Sequence, residues 1–109
     1  MGSYQLVDVS QVEARNGIFR ALTDRLGVAG FRINQLELAP GAEGLEHDHI
    51  ENAQEEVYAV VSGSGVLRAG GDEIPLRAGH FVHLPPDVRR QMVAGEQGMT
   101  WIGIGSATG

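Results

Sequence analysis

The chain of 109 residues contains no cysteine and no lysine, so its eight basic residues are all arginines. The absence of cysteine excludes disulfide bonds and thiolate catalysis, and the absence of lysine excludes Schiff-base chemistry on a lysine amine. Long apolar runs are missing too, and no segment has the length of a transmembrane helix or the pattern of a signal peptide. We therefore expect a cytoplasmic protein.

The formal net charge of −6 comes from 14 acidic and eight basic residues. A negative protein surface repels nucleic acids and anionic membranes, so we expect neither as a partner. The length predicts a single domain, residues 1–109. A chain this short buries only a small core, and a homodimer interface would cover more of its apolar surface.

Sixteen glycines and four prolines divide the chain into short segments. Apolar and polar residues alternate within these segments, which is typical of half-buried strands, and no long segment has the 3.6-residue period of a helix. Strands are predicted at residues 18–22, 31–38, 56–61, 66–69, 73–76, 81–84, 88–93 and 99–104, with hairpin turns at 62–65 and 70–72. This pattern predicts an all-β sandwich or barrel with a core over roughly residues 31–104, while residues 1–30 add strands to the sheet or to a dimer.

Two histidines one residue apart, His47 and His49, precede a predicted strand. In an extended segment both imidazoles point to the same face. Along the strand that follows, Gln54, Glu56 and Tyr58 also share one face. If the two segments pair, two imidazoles and one carboxylate converge, which is the ligand set of a non-heme iron centre and also suits manganese, nickel, cobalt, copper or zinc. These residues therefore predict a divalent metal site.

The spacing of these residues resembles the first motif of the cupin superfamily, G-x5-H-x-H-x3–4-E-x6-G. Gly41, His47, His49, Glu56 and Gly63 stand at its fixed positions. The resemblance implies a metal held by the two histidines and the glutamate, in a jelly-roll β-barrel of six or more strands that is usually dimeric. Cupins include dioxygenases, isomerases, decarboxylases and non-enzymatic binding proteins, so the family alone does not fix the reaction.

The sequence departs from this motif in one spacing, because six residues lie between His49 and Glu56 where the motif has three or four. Counted forward from His49, the carboxylate position falls at Gln54, and counted back from Gly63 it falls at Glu56. We favour Glu56, because a loop absorbs an insertion more easily than the strand that follows it. Gln54 remains an alternative ligand because it lies on the same face.

The second cupin motif, G-x5-P-x-G-x2-H-x3-N, is matched only in part. Gly79 and Pro85 stand at its first two positions, but Asp87, Arg90 and Ala94 replace its second glycine, its histidine and its asparagine. Arginine stays protonated in proteins and cannot donate a lone pair to a metal. The resemblance therefore implies a metal site without the fourth ligand of the family.

Arg90 leaves two functions open. Beside a metal, its guanidinium would hold the anionic group of a small organic substrate in an oxygenase or isomerase. Alternatively, Arg90 pairs with Glu56 and removes that ligand, which leaves a metal-free pocket that binds or senses a small molecule. Tyr58 is expected to line the pocket and contact the substrate, and His83 is an alternative ligand or a general acid/base.

The strand that carries Glu56 is apolar on its other face as well. Val57, Ala59 and Val61 alternate with the inward-facing residues, and all three are hydrophobic. Exposed apolar patches mark contact surfaces, so we expect this face to be covered by a second sheet or by the partner in a homodimer.

Overall fold

The structure, a computed structural model, describes residues 3–106 and consists mainly of antiparallel strands. A 3₁₀ turn at Val9–Gln11 and a short helix, α1 (Thr23–Leu26), precede the longer strands. The strands are β1 (Ala14–Arg15), β2 (Phe19–Ala21), β3 (Phe31–Leu38), β4 (Glu56–Ala69), β5 (Asp72–Arg77), β6 (Phe81–Leu84) and β7 (Arg90–Ser106). No helix among the described residues combines the length and hydropathy that spanning a membrane requires.

The strands form one sheet in the order β1-β2-β3-β7-β4-β5, with β6 paired to the start of β4. β4 and β7 are long, and each changes partners about half-way along its length. The first half of β4 lies between β6 and the end of β7, and its second half lies between β5 and the start of β7. The sheet therefore folds over on itself, and the predicted all-β fold is confirmed.

Two predicted strand breaks are wrong. Residues 62–65 do not form a hairpin turn, because β4 runs through them with two register shifts against β7. Similarly, β7 joins the strands predicted at 88–93 and 99–104 into one. A glycine at positive φ, such as Gly63 (φ 75°), bends a bulged strand without reversing it. The local composition thus resembles that of a turn, while partners on both sides keep the chain extended.

The inner face of the sheet changes from apolar to polar along the strands. Directly paired residues of antiparallel strands point to the same side, so the registers of β3, β7 and β4 define three rows. These rows are Leu36–Trp101–Val60, Asn34–Gly103–Tyr58 and Arg32–Gly105–Glu56. The apolar end holds the core, which includes Leu38, Leu67, Met99 and Trp101. The polar end has glycines in its middle strand, so a cavity opens there.

Arg20 ties the N-terminal segment to the sheet. From β2 its Nε donates to Glu37 Oε2 on β3 (2.6 Å), and its Nη1 donates to the carbonyl oxygens of Val12 (2.6 Å) and Val9 (3.2 Å). The hydrogen bond from Arg20 holds the pKa of Glu37 below its ordinary value. The β1–β2 hairpin and the turn before it are thereby fixed beside the mouth of the cavity.

Gly63 lies where the bend of β4 leaves no room for a side chain. A Cβ at this position would lie 2.1 Å from the carbonyl oxygen of Gly98. Gly63→Ala should therefore lower the free energy of unfolding, measured in urea, by about 3 kcal/mol or more, because backbone atoms of both strands would have to move.

Gly70→Ala is the matched control for this variant. Gly70 also has a positive φ (56°), but nothing lies within 4 Å of a Cβ built there. We expect its unfolding free energy to fall by about 1 kcal/mol, which is the cost of the left-handed backbone alone. Equal losses for the two variants would contradict the steric explanation.

Candidate functional site

His47 and His49 lie on an extended segment that runs antiparallel to the start of β7. His47 N donates to Arg90 O (2.9 Å), Arg90 N donates to His47 O (2.8 Å), and His49 N donates to Pro86 O (2.9 Å). These backbone hydrogen bonds fix the segment, and alternation directs both imidazoles to its inner side. Both rings therefore face the start of β4, where Glu56 lies.

The two imidazoles and the Glu56 carboxylate converge. His49 Nε2 lies 3.1 Å from Glu56 Oε1, and His47 Nε2 lies 3.8 Å from the same oxygen. One ligand atom from each of the three side chains lies within 4.8 Å of the other two. The imidazole rings are perpendicular, with their centroids 5.1 Å apart. Two nitrogen donors and one oxygen donor at these distances are close enough to bind one metal ion.

Hydrogen bonds on the far side of each ring orient the imidazoles. His47 Nδ1 lies 3.2 Å from Leu45 O, and His49 Nδ1 lies 3.2 Å from Asn52 Oδ1. Asn52 Oδ1 also accepts from Gln54 N (3.1 Å), which identifies this atom as the amide oxygen. Because both partners are acceptors, each Nδ1 carries a proton and each Nε2 faces the centre of the site, where a neutral ring offers a lone pair and a protonated ring offers a donor.

Glu56 is charged although its side chain is largely buried (15% exposed). Burial raises its pKa, but the interaction with the His47 ring and the positive charges of His49 and Arg90 outweigh burial, so the pKa of Glu56 lies below its ordinary value. The interaction with Glu56 in turn raises the pKa of His47. Tyr58 Oη donates to Glu56 Oε1 (3.2 Å), and burial raises the pKa of this phenol, so it remains a donor.

Arg90 lies inside the protein and has no exposed side-chain surface. Its Nη2 donates to Leu84 O (3.2 Å) and Pro85 O (3.3 Å), and it lies 3.7 Å from Glu56 Oε1, beyond hydrogen-bond distance. Within the part of the chain that the structure describes, Arg90 Nε and Nη1 have no hydrogen-bond partner. This buried guanidinium therefore keeps two donor groups without an acceptor.

The site occupies one end of a cavity of 430 Å³. The size is typical of pockets that take small organic molecules, and most of the wall is apolar with a few convergent polar groups. Besides the two histidines, Glu56 and Arg90, the wall includes Arg15, Ile18, Phe19, Arg32, Asn34, Leu36, Tyr58, Met92 and Trp101.

The structure brings Gln54 to the cavity wall but does not bring His83 there. Gln54 is buried, and its Nε2 donates to Ser106 O (2.9 Å), so the amide anchors the end of β7. His83 is paired with Val57 on the other side of the sheet, has a half-exposed side chain and contacts Glu55. It is therefore not part of the group that His47 and His49 form.

Several residues of the cavity region were not singled out by the sequence, among them the polar residues Arg15, Arg32, Asn34 and Asn52. Arg32 and Asn34 take inner positions on β3, at the end where its alternation changes from apolar to polar. This change along β3 could have identified them from the sequence, because polar residues on the inner face of a sheet mark the mouth of a cavity. Asn52 had no comparable signal, since its role depends on how the loop before β4 folds.

A family model described as a cupin domain matches residues 34–105. The matched segment contains both histidines of the site, Glu56 and Arg90. Among curated proteins, none matches the chain.

Several solved structures are similar to this chain. A cupin protein from Bacteroides fragilis has 29% sequence identity, over 97% of this chain and 86% of its own, with a TM-score of 0.82. A sugar phosphate isomerase from a cupin superfamily, from Silicibacter pomeroyi, has 26% identity over 93% of this chain and 74% of its own, with a TM-score of 0.78. A Cupin 2 conserved barrel domain protein from Salinispora arenicola, at 23% identity, covers 97% of this chain and 89% of its own with a TM-score of 0.77, which supports the fold alone.

Asn52 should raise the metal affinity of the site by holding the His49 ring. Asn52→Ala removes the acceptor from His49 Nδ1, and we expect the affinity for zinc to fall about 10- to 100-fold, as is usual when such a partner is lost. Zinc affinity can be measured by competition with a chromophoric chelator. Asn52→Asp keeps an acceptor oxygen and should retain the affinity, whereas an Asn52→Ala protein that binds zinc like the wild type would refute this role.

Proposed function

The chain belongs to the cupin family, and on that premise we propose that it binds a divalent metal ion and acts on a small anionic organic molecule. His47, His49 and Glu56 are the proposed ligands, and Arg90 is the proposed anchor for the anionic group. The convergence of two Nε2 atoms and a charged carboxylate oxygen at the end of the cavity carries this proposal.

The residues present fit a metal ion. His49 Nε2 is buried and makes no hydrogen bond within the described residues, although it lies close to Glu56. A buried nitrogen without a partner costs free energy, and coordination of a cation would remove that cost. A bound divalent ion would supply Lewis acidity, polarising a carbonyl or hydroxyl oxygen of the substrate. This donor set accepts iron, manganese, nickel, cobalt, copper or zinc.

The position of Arg90 favours binding of an anionic substrate over a direct salt bridge with Glu56. Its nearest nitrogen is 3.7 Å from the carboxylate, and its hydrogen bonds go to backbone carbonyl oxygens instead. Its Nε and Nη1 have no partner within the described residues, so the charged guanidinium keeps donors for an anionic group. The metal-free binding pocket with a Glu56–Arg90 pair is the second candidate function, and their closeness is the observation that favours it.

Isomerisation is the reaction class that we favour over oxygenation. The relative from Silicibacter pomeroyi is named as a sugar phosphate isomerase, and a sugar phosphate is a small anionic molecule rich in oxygen. In this chain, Arg90 would hold the anion and Tyr58 would keep Glu56 oriented through its hydrogen bond. Apolar wall residues such as Leu36, Met92 and Trp101 would exclude water from the bound substrate.

The first test is elemental analysis of protein purified without chelator. We expect about one divalent metal ion per chain, because the three side chains form one ligand set. The double variant His47→Ala/His49→Ala should lose the metal, while circular dichroism verifies that it is folded. If the variant keeps the metal content of the wild type, the proposed ligands are wrong. The element found also bears on the reaction, since zinc is redox-inactive and would support isomerisation.

Arg90→His is the variant that separates the two candidate functions. If the wild-type site binds metal, this variant should change its metal content little. If the wild type stays metal-free even after reconstitution and Arg90→His binds metal strongly, the arginine blocks the site and the metal-free pocket is the correct function.

We further propose that the chain forms a homodimer. Tyr4 and Leu6 lie in the segment before the 3₁₀ turn, and both are 93% exposed. On the outer side of the sheet, Phe81 is 75% exposed and Val61 is 48% exposed. Apolar side chains of this size at such exposure favour a contact with a second copy.

Light scattering coupled to gel filtration should give twice the 11.6 kDa mass of the chain. Tyr4→Ser/Leu6→Ser should shift the mass towards the monomer, because it removes apolar area from the proposed contact. Ile50→Ser, at an exposed position of the histidine segment, is the control and should leave the mass unchanged. A wild-type protein that runs only as a monomer would refute the homodimer.

A further inference from the structure

The cavity and the whole chain carry opposite charge. Its charged lining consists of three arginines, Arg15, Arg32 and Arg90, against a single carboxylate, Glu56. With neutral histidines the lining therefore has a net charge of +2, in a chain whose net charge is −6. Arg90, which is buried, is the proposed partner of one anionic group on the ligand. Arg15 and Arg32 lie at the mouth of the cavity and have no assigned partner.

Arg32 is positioned to reach into the cavity. It shares a cross-strand row with Gly105 and Glu56, so its side chain and the carboxylate project from the same face, two strand spacings or about 10 Å apart. The strand between them carries two glycines. Gly103 leaves space above the sheet, since a Cβ there would make only ordinary contacts, whereas the Gln54 side chain fills the space over Gly105, where a Cβ would lie 2.5 Å from Gln54 Nε2.

Arg15 adds a second cation to the same mouth. It is paired with Phe19, and Phe19 is paired with Leu36, so the three residues lie in one row on the inner side of the hairpin. The guanidinium carbon of Arg15 lies 5.8 Å from the centre of the Phe19 ring. This cation–π contact keeps the charge beside the cavity and leaves its hydrogen-bond donors free.

Neither mouth arginine is neutralised within the described residues, where no salt bridge involves Arg15 or Arg32. Three other arginines pair with carboxylates: Arg20 with Glu37, Arg68 with Glu43 and Arg89 with Glu46. Within the described residues Arg25 and Arg77 are unpaired as well, but they do not line the cavity. Unpaired arginines that line a concave surface focus a positive potential into it, and this potential attracts anions.

We propose that the ligand of this cavity carries two anionic groups, the second of which is bound by Arg32 at the mouth. The first group lies against Arg90 beside the candidate metal centre, so the inference rests on the proposed function and narrows its substrate class. Arg15 contributes charge to the outer position. The ligand class is a small molecule with one anionic group at each end, called a dianion below whatever the charge of each group, and it is either a dicarboxylate or a phosphorylated acid.

The test compares dianions with matched monoanions by calorimetry. Succinate is compared with butyrate, and phosphoglycolate with glycolate, on wild type, Arg32→Gln and Arg25→Gln. We expect the wild type to bind each dianion at least about tenfold more tightly than its monoanion, since a charge-assisted bidentate contact is added. Arg32→Gln should abolish this preference and leave the monoanion affinity unchanged. Arg25 is exposed and does not line the cavity, so Arg25→Gln should behave like the wild type.

The pair with the larger preference identifies the outer group as carboxylate or phosphate. Equal binding of dianion and monoanion by the wild type would overturn the inference, as would an Arg32→Gln protein that keeps the preference or weakens both classes alike. The absence of binding by all four probes would overturn it too.

A metal titration of the same preparations distinguishes this failure from failure of the proposed function. Metal binding without a dianion preference refutes the second anionic group and leaves the metal site intact. A dianion preference in protein that takes up no metal supports the second group and refutes the proposed metal-dependent function.

Discussion

The structure depends on a charged carboxylate, that of Glu56, held inside the open end of a folded sheet. An isolated buried charge costs several kcal/mol, so a carboxylate in this position requires cations and donors around it. His47, His49, Arg90 and Tyr58 supply them. The two histidines lie on one segment, Tyr58 lies on β4 and Arg90 begins β7. The fold must therefore bring three separate segments together.

Two features of the backbone meet that requirement. β4 is held between neighbours on both sides, which fixes the direction of the Glu56 side chain. The histidine segment is joined to β7 by a reciprocal pair of backbone hydrogen bonds between His47 and Arg90, so the residue that carries the imidazole and the residue that carries the guanidinium face the same space. The arrangement of charges is therefore a product of strand register, and local loop preferences contribute little to it.

Sequence periodicity predicted the strands well where each has a single set of partners, as for β3 and β6, and failed where a strand bends. The segment from Ser62 to Gly65 has the composition of a turn, and only the strands beside it decide that the chain continues. Ligand spacing singled out His47, His49 and Glu56, because two-residue alternation transfers directly to strand geometry. Arg32 was missed and His83 was considered, because alternation cannot tell which face of a strand turns inward until the pairing is known.

Gly103 and Gly105, on the middle strand of the polar end, differ in whether they leave room for a side chain. This difference bears on how the shape of the cavity can change by mutation. A methyl group on Gly103 would meet Leu36 Cδ1 at 3.5 Å and Tyr58 Cε1 at 3.7 Å, which are ordinary contacts, whereas Gly105 admits no atom at all. Gly103 is thus a place where a single substitution narrows the floor of the cavity without altering a charge or a proposed ligand. A larger residue at position 103 could thus shift the preference of the cavity from a bulky substrate to a narrower one, while the proposed ligands and charges stay the same.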